Sequence, residues 1–277
     1  MKNNKKKPFV LFLSWGPPHN PYHTAPQKYL DMYDPDSMIL PPNVPHFRLK
    51  EAQHDIAGYY AHCSALDDCI GKLIASLKEM GIFDNTIFVF TSDHGDMLGS
   101  KGYWDKQAPF DESIRVPFLI HFPEIKTSGI KTSPINSVDV MPTLLGLCNI
   151  KIPASVEGND YSNYIKGGSA PDSVAYLACP VAFGNWPKRL GGREYRGIRT
   201  ERYTYIRSLK EGAWLLYDNW SDPFQQINLV GNPLYNKVEL NCEMILQQKM
   251  KERNDEFLPG INYLNQWGWY EMIQDKL

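Results

Sequence analysis

The sequence predicts an α/β fold: a mostly parallel sheet flanked by helices, followed by a smaller C-terminal subdomain of antiparallel strands and a helix. Three observations lead to this prediction. Short, continuous apolar runs at residues 9–14, 87–91 and 116–122 are typical of strands buried on both faces of a parallel sheet. A long helical pattern separates the first two runs, so strands and helices alternate. Beyond residues 150–172, short segments of strand propensity follow one another across turns, which is typical of antiparallel sheets.

The first predicted strand, FVLFLS at residues 9–14, runs directly into a proline-rich loop. Pro18 and Pro21 restrict the backbone on both sides of His19. Ligands of open α/β sheets bind just outside the carboxyl ends of parallel strands, so His19 is a candidate functional residue. A loop histidine without a special role is the alternative interpretation.

A long irregular segment and then a long helix follow. Residues 24–50 contain five prolines and favour either a wall of a substrate cleft or plain surface structure. Residues 52–80 carry apolar side chains at three- and four-residue spacing, which predicts an amphipathic helix. Gly81 follows directly and is a common signal for the end of a helix.

The second predicted strand, residues 87–91, ends at Ser92, Asp93, His94 and Gly95. Asp93 offers hard oxygen ligands for Ca²⁺ or Mg²⁺. His94 offers a ring nitrogen that can bind a metal ion or carry a proton near neutral pH. The alternative is that Asp93 caps a helix while His94 lies on the surface.

The rest of the chain completes the α/β unit and adds the C-terminal subdomain. Residues 116–122 predict a third strand and residues 137–147 a helix. The Gly-, Ser-, Asn- and Pro-rich residues 150–172 suggest a boundary, and therefore domains at residues 8–150 and 151–277. The expected C-terminal elements are strands at residues 195–199, 202–206 and 214–217 and a helix at residues 237–257.

Composition narrows the possible functions. The 277 residues include 29 Lys and Arg and 31 Asp and Glu, so their near-neutral balance gives no argument for nucleic-acid binding. No apolar run has the length of a membrane span. The five cysteines show no CxxC pairing, which argues against a disulfide framework and a structural zinc site. The basic start and the short apolar run after it do not predict a signal peptide, so the compartment stays open.

Four separated blocks together resemble the sulfatases of the alkaline phosphatase superfamily. They are PHNP at residues 18–21, SALDDCIGKLIASLKEMGIFDNT at residues 64–86, TSDHGDMLGSKGYWDK at residues 91–106 and LYDNWSDPFQQINL at residues 216–229. Their order and spacing resemble the latter part of such proteins across nearly the whole chain. The resemblance implies hydrolysis of sulfate esters, with a sulfated small molecule or glycan as the substrate.

The resemblance also implies roles for individual residues. Asp93 and His94 match the second pair of metal-site residues around a Ca²⁺ or Mg²⁺ ion, although many members carry Asn at the second place. Lys106 matches the lysine that binds the sulfate group. His19 matches the histidine near the ester oxygen. Trp186, Arg189 and Arg193 are candidates for contacts to a sulfated sugar, and an ordinary loop explains them equally well.

The chain departs from the family pattern in two ways. It contains no C-x-P-x-R or S-x-P-x-R motif, from which the family makes its formylglycine nucleophile. The family's first strand, which ends in a pair of Asp ligands, is also absent. We therefore expect a sulfatase that lacks its N-terminal half, cannot turn over alone and is aggregation-prone without a partner segment. Two alternatives stay open: a non-catalytic sulfate- or sugar-binding remnant, and a phosphoester hydrolase of the same superfamily.

Overall fold

The computed structural model of the chain describes residues 7–125, 128–183 and 192–273, which form two compact units. Within these ranges, the first unit contains residues 7–105 and 116–125, and the second contains residues 106–115, 128–183 and 192–273. The second unit therefore includes a ten-residue segment from the middle of the chain. The expected division into residues 8–150 and 151–277 stays a prediction.

The first unit is built around the long helix α2, Leu49–Glu79, which confirms the helix predicted at residues 52–80. Shorter turns of helix surround it, namely Tyr22–Thr24, α1 (Gln27–Leu30), Pro35–Ser37, His46–Arg48, Phe83–Asn85 and Ser100–Gly102. Gly58 on α2 allows a close backbone approach, because a Cβ there would lie 2.5 Å from the carbonyl oxygen of Tyr22. The helix thereby fixes the chain just after the His19 loop.

The first unit also contains a two-stranded sheet of β1, Phe88–Thr91, and β2, Phe118–His121. Both strands were predicted, but they pair antiparallel, with Phe88 opposite His121. The expected mostly parallel pairing is wrong for the described residues, in which every strand pair is antiparallel. An apolar run indicates that a strand is buried, whereas the direction of its neighbour depends on distant residues.

The strand expected at residues 9–14 is not formed in the structure. Its apolar side chains are exposed to solvent, and the exposed fractions of Val10 and Phe12 are 97% and 88%. The prediction was wrong because an apolar run forms a strand only where a second strand satisfies its backbone hydrogen bonds. The described residues contribute no pairing strand at this position.

The second unit contains an antiparallel sheet in the order β3-β4-β5-β6, as the sequence predicted for the C-terminal part. The strands are β3 (Val174–Cys179), β4 (Tyr195–Thr200), β5 (Tyr203–Ser208) and β6 (Gly212–Asp218), of which β3 was not predicted. The helices are α3 (Asp111–Ile114), α4 (Ser137–Leu147), α5 (Ser162–Ile165), α6 (Asn236–Glu252), α7 (Gly260–Gln266) and α8 (Tyr270–Ile273), with a single helical turn at Pro233–Tyr235.

Helix α6 covers one face of this sheet. Ile198 and Leu216 of the sheet and Leu246 of α6 are fully buried in one apolar cluster. Burying a Leu or Ile side chain contributes roughly 1.5–3 kcal/mol, so this cluster stabilises the packing of α6 on the sheet. In the described part of the chain, no helix combines the length and apolar character needed to cross a membrane.

Candidate functional site

Two loops of the first unit bring His19 and His94 together. Their ring centroids lie 6.0 Å apart at an interplanar angle of 71°. His19 follows the apolar run at residues 9–14, and His94 follows strand β1. These two loops therefore form the candidate site in this unit, together with Asp93.

The imidazole of His94 is held in one orientation by its own loop. Its Nδ1–H donates a hydrogen bond to the Gly95 carbonyl at 2.8 Å. Because a carbonyl only accepts, Nδ1 carries the hydrogen, and Nε2 is the nitrogen that can act as a ligand or acceptor. Nε2 lies 3.7 Å from Oδ2 of Asp93.

The Asp93 carboxylate is largely exposed and is stabilised as an anion. Its Oδ1 accepts hydrogen bonds from the backbone N–H of His94 at 3.0 Å and from the Ser92 hydroxyl at 3.3 Å. Desolvation alone would raise the pKa of this carboxyl. The interaction with the nearby His94 side chain and these hydrogen bonds outweigh desolvation and lower the pKa below its usual value.

His19 lies on an exposed proline-rich loop in which the Pro17–Pro18 and Asn20–Pro21 peptide bonds are cis. Its Nδ1–H donates to the carbonyl of Asn20 at 3.0 Å. This bond makes Nε2 the nitrogen that can exchange a proton with a bound molecule.

A polar network joins the two loops, and the sequence interpretation did not single out its members. The Asn20 side-chain amide donates to Oδ1 of Asp105 at 2.9 Å. The Tyr22 hydroxyl donates to Oδ2 of Asp96 at 2.7 Å, and Oδ1 of Asp96 accepts from the Asp105 backbone at 3.2 Å. Burial raises the pKa of Asp96 and of Tyr22. The sequence contained one signal that could have identified these four polar residues. All of them fall within or beside the two blocks that contain His19 and Asp93.

Asp93 and His94 fit two positions around a hard cation. Neighbouring ligands of a six-coordinate ion, each at about 2.3–2.6 Å, lie roughly 3.3–3.7 Å apart, which matches the separation of Oδ2 and Nε2. Across the ranges that the structure describes, no cluster of three or more His, Cys, Asp or Glu side chains is arranged to hold a metal ion. The pair can therefore supply two ligands.

Lys106 belongs to the second unit and lies at the start of its segment 106–115. The backbone of its neighbour Gln107 has a φ of 74°, an uncommon conformation for a residue with a side chain. Of the candidate sugar contacts, Trp186 and Arg189 lie outside the described residues. Arg193 forms a salt bridge with Glu211, and its guanidinium carbon Cζ lies 4.6 Å from the centroid of the Trp214 ring.

Comparison with known proteins identifies both parts of the chain. Residues 1–150 match the family model described as Sulfatase, and residues 99–254 match the model described as N-sulphoglucosamine sulphohydrolase, C-terminal. The chain is 43% identical to an ulvan-active sulfatase of Formosa agariphila over 95% of this chain and 52% of that protein. It spans about half the length of the curated relatives it matches.

Solved structures show the same fold. The chain is similar to yidJ of Bacteroides fragilis, described as a sulfatase, with a TM-score of 0.77 and 29% identity over 92% of this chain and 57% of that one. It is also similar to BT4656 in complex with its substrate D-glucosamine-2-N,6-O-disulfate, with a TM-score of 0.64 and 26% identity over 78% and 44%. These similarities, with the helices and sheets described above, confirm the α/β fold class.

A phosphonate monoester hydrolase from Silicibacter pomeroyi has a related structure. The TM-score is 0.65 and the identity is 25%, over 84% of this chain and 48% of that chain. Proteins with this fold therefore include enzymes named for phosphonate as well as for sulfate esters.

Proposed function

The chain belongs to the sulfatase family, and from this membership we propose that it is part of a metal-dependent enzyme that hydrolyses sulfate esters. The observation that carries the proposal is the approach of His19 to the Asp93–His94 pair within one unit. A sulfate ester is anionic, and its hydrolysis needs positive charge at the sulfate and a proton for the leaving oxygen.

Asp93 and His94 would hold the Ca²⁺ or Mg²⁺ ion. When bound, such an ion supplies positive charge that offsets the charge of the sulfate ester. The low pKa of Asp93 keeps its carboxylate ionised, and the Gly95 carbonyl keeps Nε2 of His94 available as a ligand.

His19 and Lys106 would contact the substrate. With Nδ1 fixed on the Asn20 carbonyl, Nε2 of His19 is the atom that would hold or protonate the leaving-group oxygen. The Lys106 ammonium would bind the sulfate oxygens as a point charge. The roles of His19 and Lys106 both follow from the match of these residues to the motifs of the family.

The substrate would be a sulfated small molecule or glycan. This assignment is supported by the ulvan-active relative and by the disulfated glucosamine bound to BT4656. Sulfation gives the ligand negative charge, which Lys106 and a metal ion would attract and partly neutralise.

We further propose that the residues described here do not turn over by themselves, and that an additional sulfatase segment supplies further metal ligands and a strand beside residues 9–14. Two observations support this. Asp93 and His94 would supply two ligands and the described residues offer no cluster of three or more, whereas a Ca²⁺ ion takes about six to eight. The apolar segment at residues 9–14 is exposed, although its sequence is suited to a buried strand.

Hydrolysis of a chromogenic aryl sulfate with added Ca²⁺ tests this function. We expect no turnover from the folded chain alone, and turnover once an N-terminal half from a relative is supplied. Lys106→Ala should abolish that restored activity, whereas Lys101→Ala, a control in the neighbouring loop, should retain it. If the restored activity does not change in Lys106→Ala, the role assigned to Lys106 is refuted. Turnover by the chain without an added segment would refute the proposal that its site is incomplete.

The two alternatives give different outcomes in the same assay. A sulfate- or sugar-binding remnant would bind sulfated ligand but gain no activity from any added half. The related phosphonate hydrolase structure favours a phosphoester substrate as a second candidate. An aryl phosphate hydrolysed faster than the aryl sulfate by the reconstituted protein would select that candidate.

A further inference from the structure

We propose that the C-terminal sheet positions Lys106, through a buried contact of Asp111 with Arg199 and Gln225. The inference rests on the proposed role of Lys106 in sulfate binding and adds positioning residues to it. All of these residues belong to the second unit, in which residues 106–115 pack with the C-terminal part of the chain.

The contact between Asp111 and Arg199 is bidentate. Nε of Arg199 donates to Oδ1 of Asp111 at 3.1 Å, and Nη2 donates to Oδ2 at 3.0 Å. The side chains are 13% and 15% exposed, so solvent screens this pair less than a surface pair. Arg199 lies on β4 and Asp111 begins α3, five residues after Lys106. The contact with β4 therefore fixes the position of Asp111 and the direction of the residues between it and Lys106.

Gln225 adds a second anchor at the same point. Its side chain is fully buried, and its Oε1 accepts a hydrogen bond from the backbone N–H of Asp111 at 2.9 Å. Its Nε2 donates to Asn219 at 2.8 Å and to Thr204 at 3.2 Å, and both of these side chains are buried. Because the amide is oriented by the sheet, it fixes the backbone of Asp111 as well as its carboxylate.

Apolar packing holds the residues between Lys106 and Asp111. Ala108 and Phe110 are buried, with exposed fractions of 1% and 6%. The Phe110 ring centroid lies 6.2 Å from that of Tyr217 on β6. Gln107, next to Lys106, accepts a hydrogen bond from the Phe183 backbone at 3.2 Å. The φ of 74° at Gln107 is thus maintained by contacts on its own side chain and on the residues that follow.

These anchors matter because lysine binds an anion as a single charge on a flexible stem. The place of that charge depends on the backbone from which the stem starts, and a displacement of about 1 Å is enough to weaken a binding site. Arg199 acts through Lys106 in this proposal and does not itself contact the sulfate.

A double-mutant cycle in the full chain tests the proposal, with inorganic sulfate as the probe and calorimetric titration at constant ionic strength. Arg199→Lys keeps the charge but loses the bidentate contact, and we expect sulfate affinity to fall roughly fivefold. In the Lys106→Ala background the same change should have no effect. Equal loss in both backgrounds would show a general structural role and overturn the proposal.

Arg202→Lys is the matched control. Arg202, in the turn between β4 and β5, makes a bidentate pair with Asp218 of β6 at 2.9 and 2.7 Å, and that pair does not include the segment 106–115. We expect this variant to bind sulfate like the wild type. A loss equal to that of Arg199→Lys would contradict the proposal.

Hydrogen–deuterium exchange separates this inference from the proposed function, because it needs no ligand. Arg199→Lys should increase amide exchange in peptides covering residues 106–115, and Arg202→Lys should leave it unchanged. Unchanged exchange in Arg199→Lys would overturn the positioning proposal. Amide exchange in residues 106–115 can increase in Arg199→Lys as expected while Lys106→Ala binds sulfate like the wild type. That result would support the proposal that Arg199 positions the segment and refute the proposal that Lys106 binds sulfate.

Discussion

The side-chain amide of Asn20 donates a 2.9 Å hydrogen bond to the carboxylate of Asp105, across 85 residues of sequence. Asn20 is next to His19, and Asp105 ends the loop that starts at Asp93. One hydrogen bond thus links the two loops whose histidine rings lie 6.0 Å apart. Its acceptor is an anion, so it is stronger than a bond between neutral groups.

Replacing Asn20 should therefore loosen the candidate site. Asn20→Ala removes the bond and should lower the free energy of unfolding by about 1 kcal/mol, since the pair is exposed to solvent. Asn20→Asp places a second carboxylate beside Asp105 and should cost more at low salt than at high salt. Urea unfolding at two ionic strengths measures both effects. An Asn20→Asp variant as stable as the wild type at low salt would contradict the role of this bond.

Calcium binding by the isolated chain should be weak. In the proposed site Asp93 and His94 would supply two ligands, and no cluster of three or more His, Cys, Asp or Glu side chains in the described ranges could hold the ion, so we expect a dissociation constant far above micromolar. Asp93→Asn should weaken the residual binding further, whereas Asp36→Asn at an exposed ion pair should not. Calorimetric titration with Ca²⁺ checks this, and a submicromolar dissociation constant would overturn it.

The buried pair of Arg196 and Asp255 should make the second unit sensitive to acid. Arg196 donates to both oxygens of Asp255, at 2.5 and 3.1 Å, and is 1% exposed. Desolvation alone would raise the pKa of Asp255, but the Arg196 guanidinium and the Tyr176 hydroxyl outweigh it and lower the pKa to about 2. The folded state therefore binds the proton more weakly than the unfolded state.

The sign of the pH effect follows from this lowered pKa. The stabilisation by the Asp255 carboxylate is fully present above the ordinary pKa near 3.8 and is lost as the pH falls towards 2. The stability gap between the wild type and Asp255→Asn should thus shrink by about 2 kcal/mol at most between pH 5 and pH 2. Denaturant unfolding across this range measures it, and a constant gap would contradict the prediction.

The exposed apolar segment at residues 9–14 should make the isolated chain associate. Changing Val10 and Phe12 together to Ser should reduce light scattering and the binding of a hydrophobic dye. It should change the free energy of unfolding by no more than about 0.5 kcal/mol, because both side chains are exposed. Ile39→Ser, at a side chain outside this segment that is 92% exposed, is the control. A wild-type chain that stays monomeric at micromolar concentration would contradict this prediction.

Local signals in the sequence predicted the three longest helices and several strands, but not the short helices. The helix Ser137–Leu147 has the predicted bounds, because Asp139 caps its first turn by accepting from the Asn136 backbone at 2.8 Å. The long helix Leu49–Glu79 follows from the spacing of its apolar side chains. Both signals lie within a few residues of the element they specify.

Contacts between distant residues could not be predicted in this way. The apolar run at residues 9–14 has the composition of a strand, but its state depends on a pairing partner. The antiparallel pairing of Phe88–Thr91 with Phe118–His121 is likewise a property of two segments. In the site, the family resemblance indicated His19, Asp93 and His94, whereas no periodicity connects Asn20 with Asp105.

The discontinuous second unit sets an order of events during synthesis. Asp111 and Arg199 are 88 residues apart, so the segment that follows Lys106 leaves the ribosome well before the strand that anchors it. At about 5–20 residues per second the delay is roughly 4–18 seconds. For that time the segment has no sheet to pack against. Lys106 thus reaches its folded position only after the C-terminal strands have been made, and a ribosome stalled before residue 199 carries a chain in which this lysine has no fixed place.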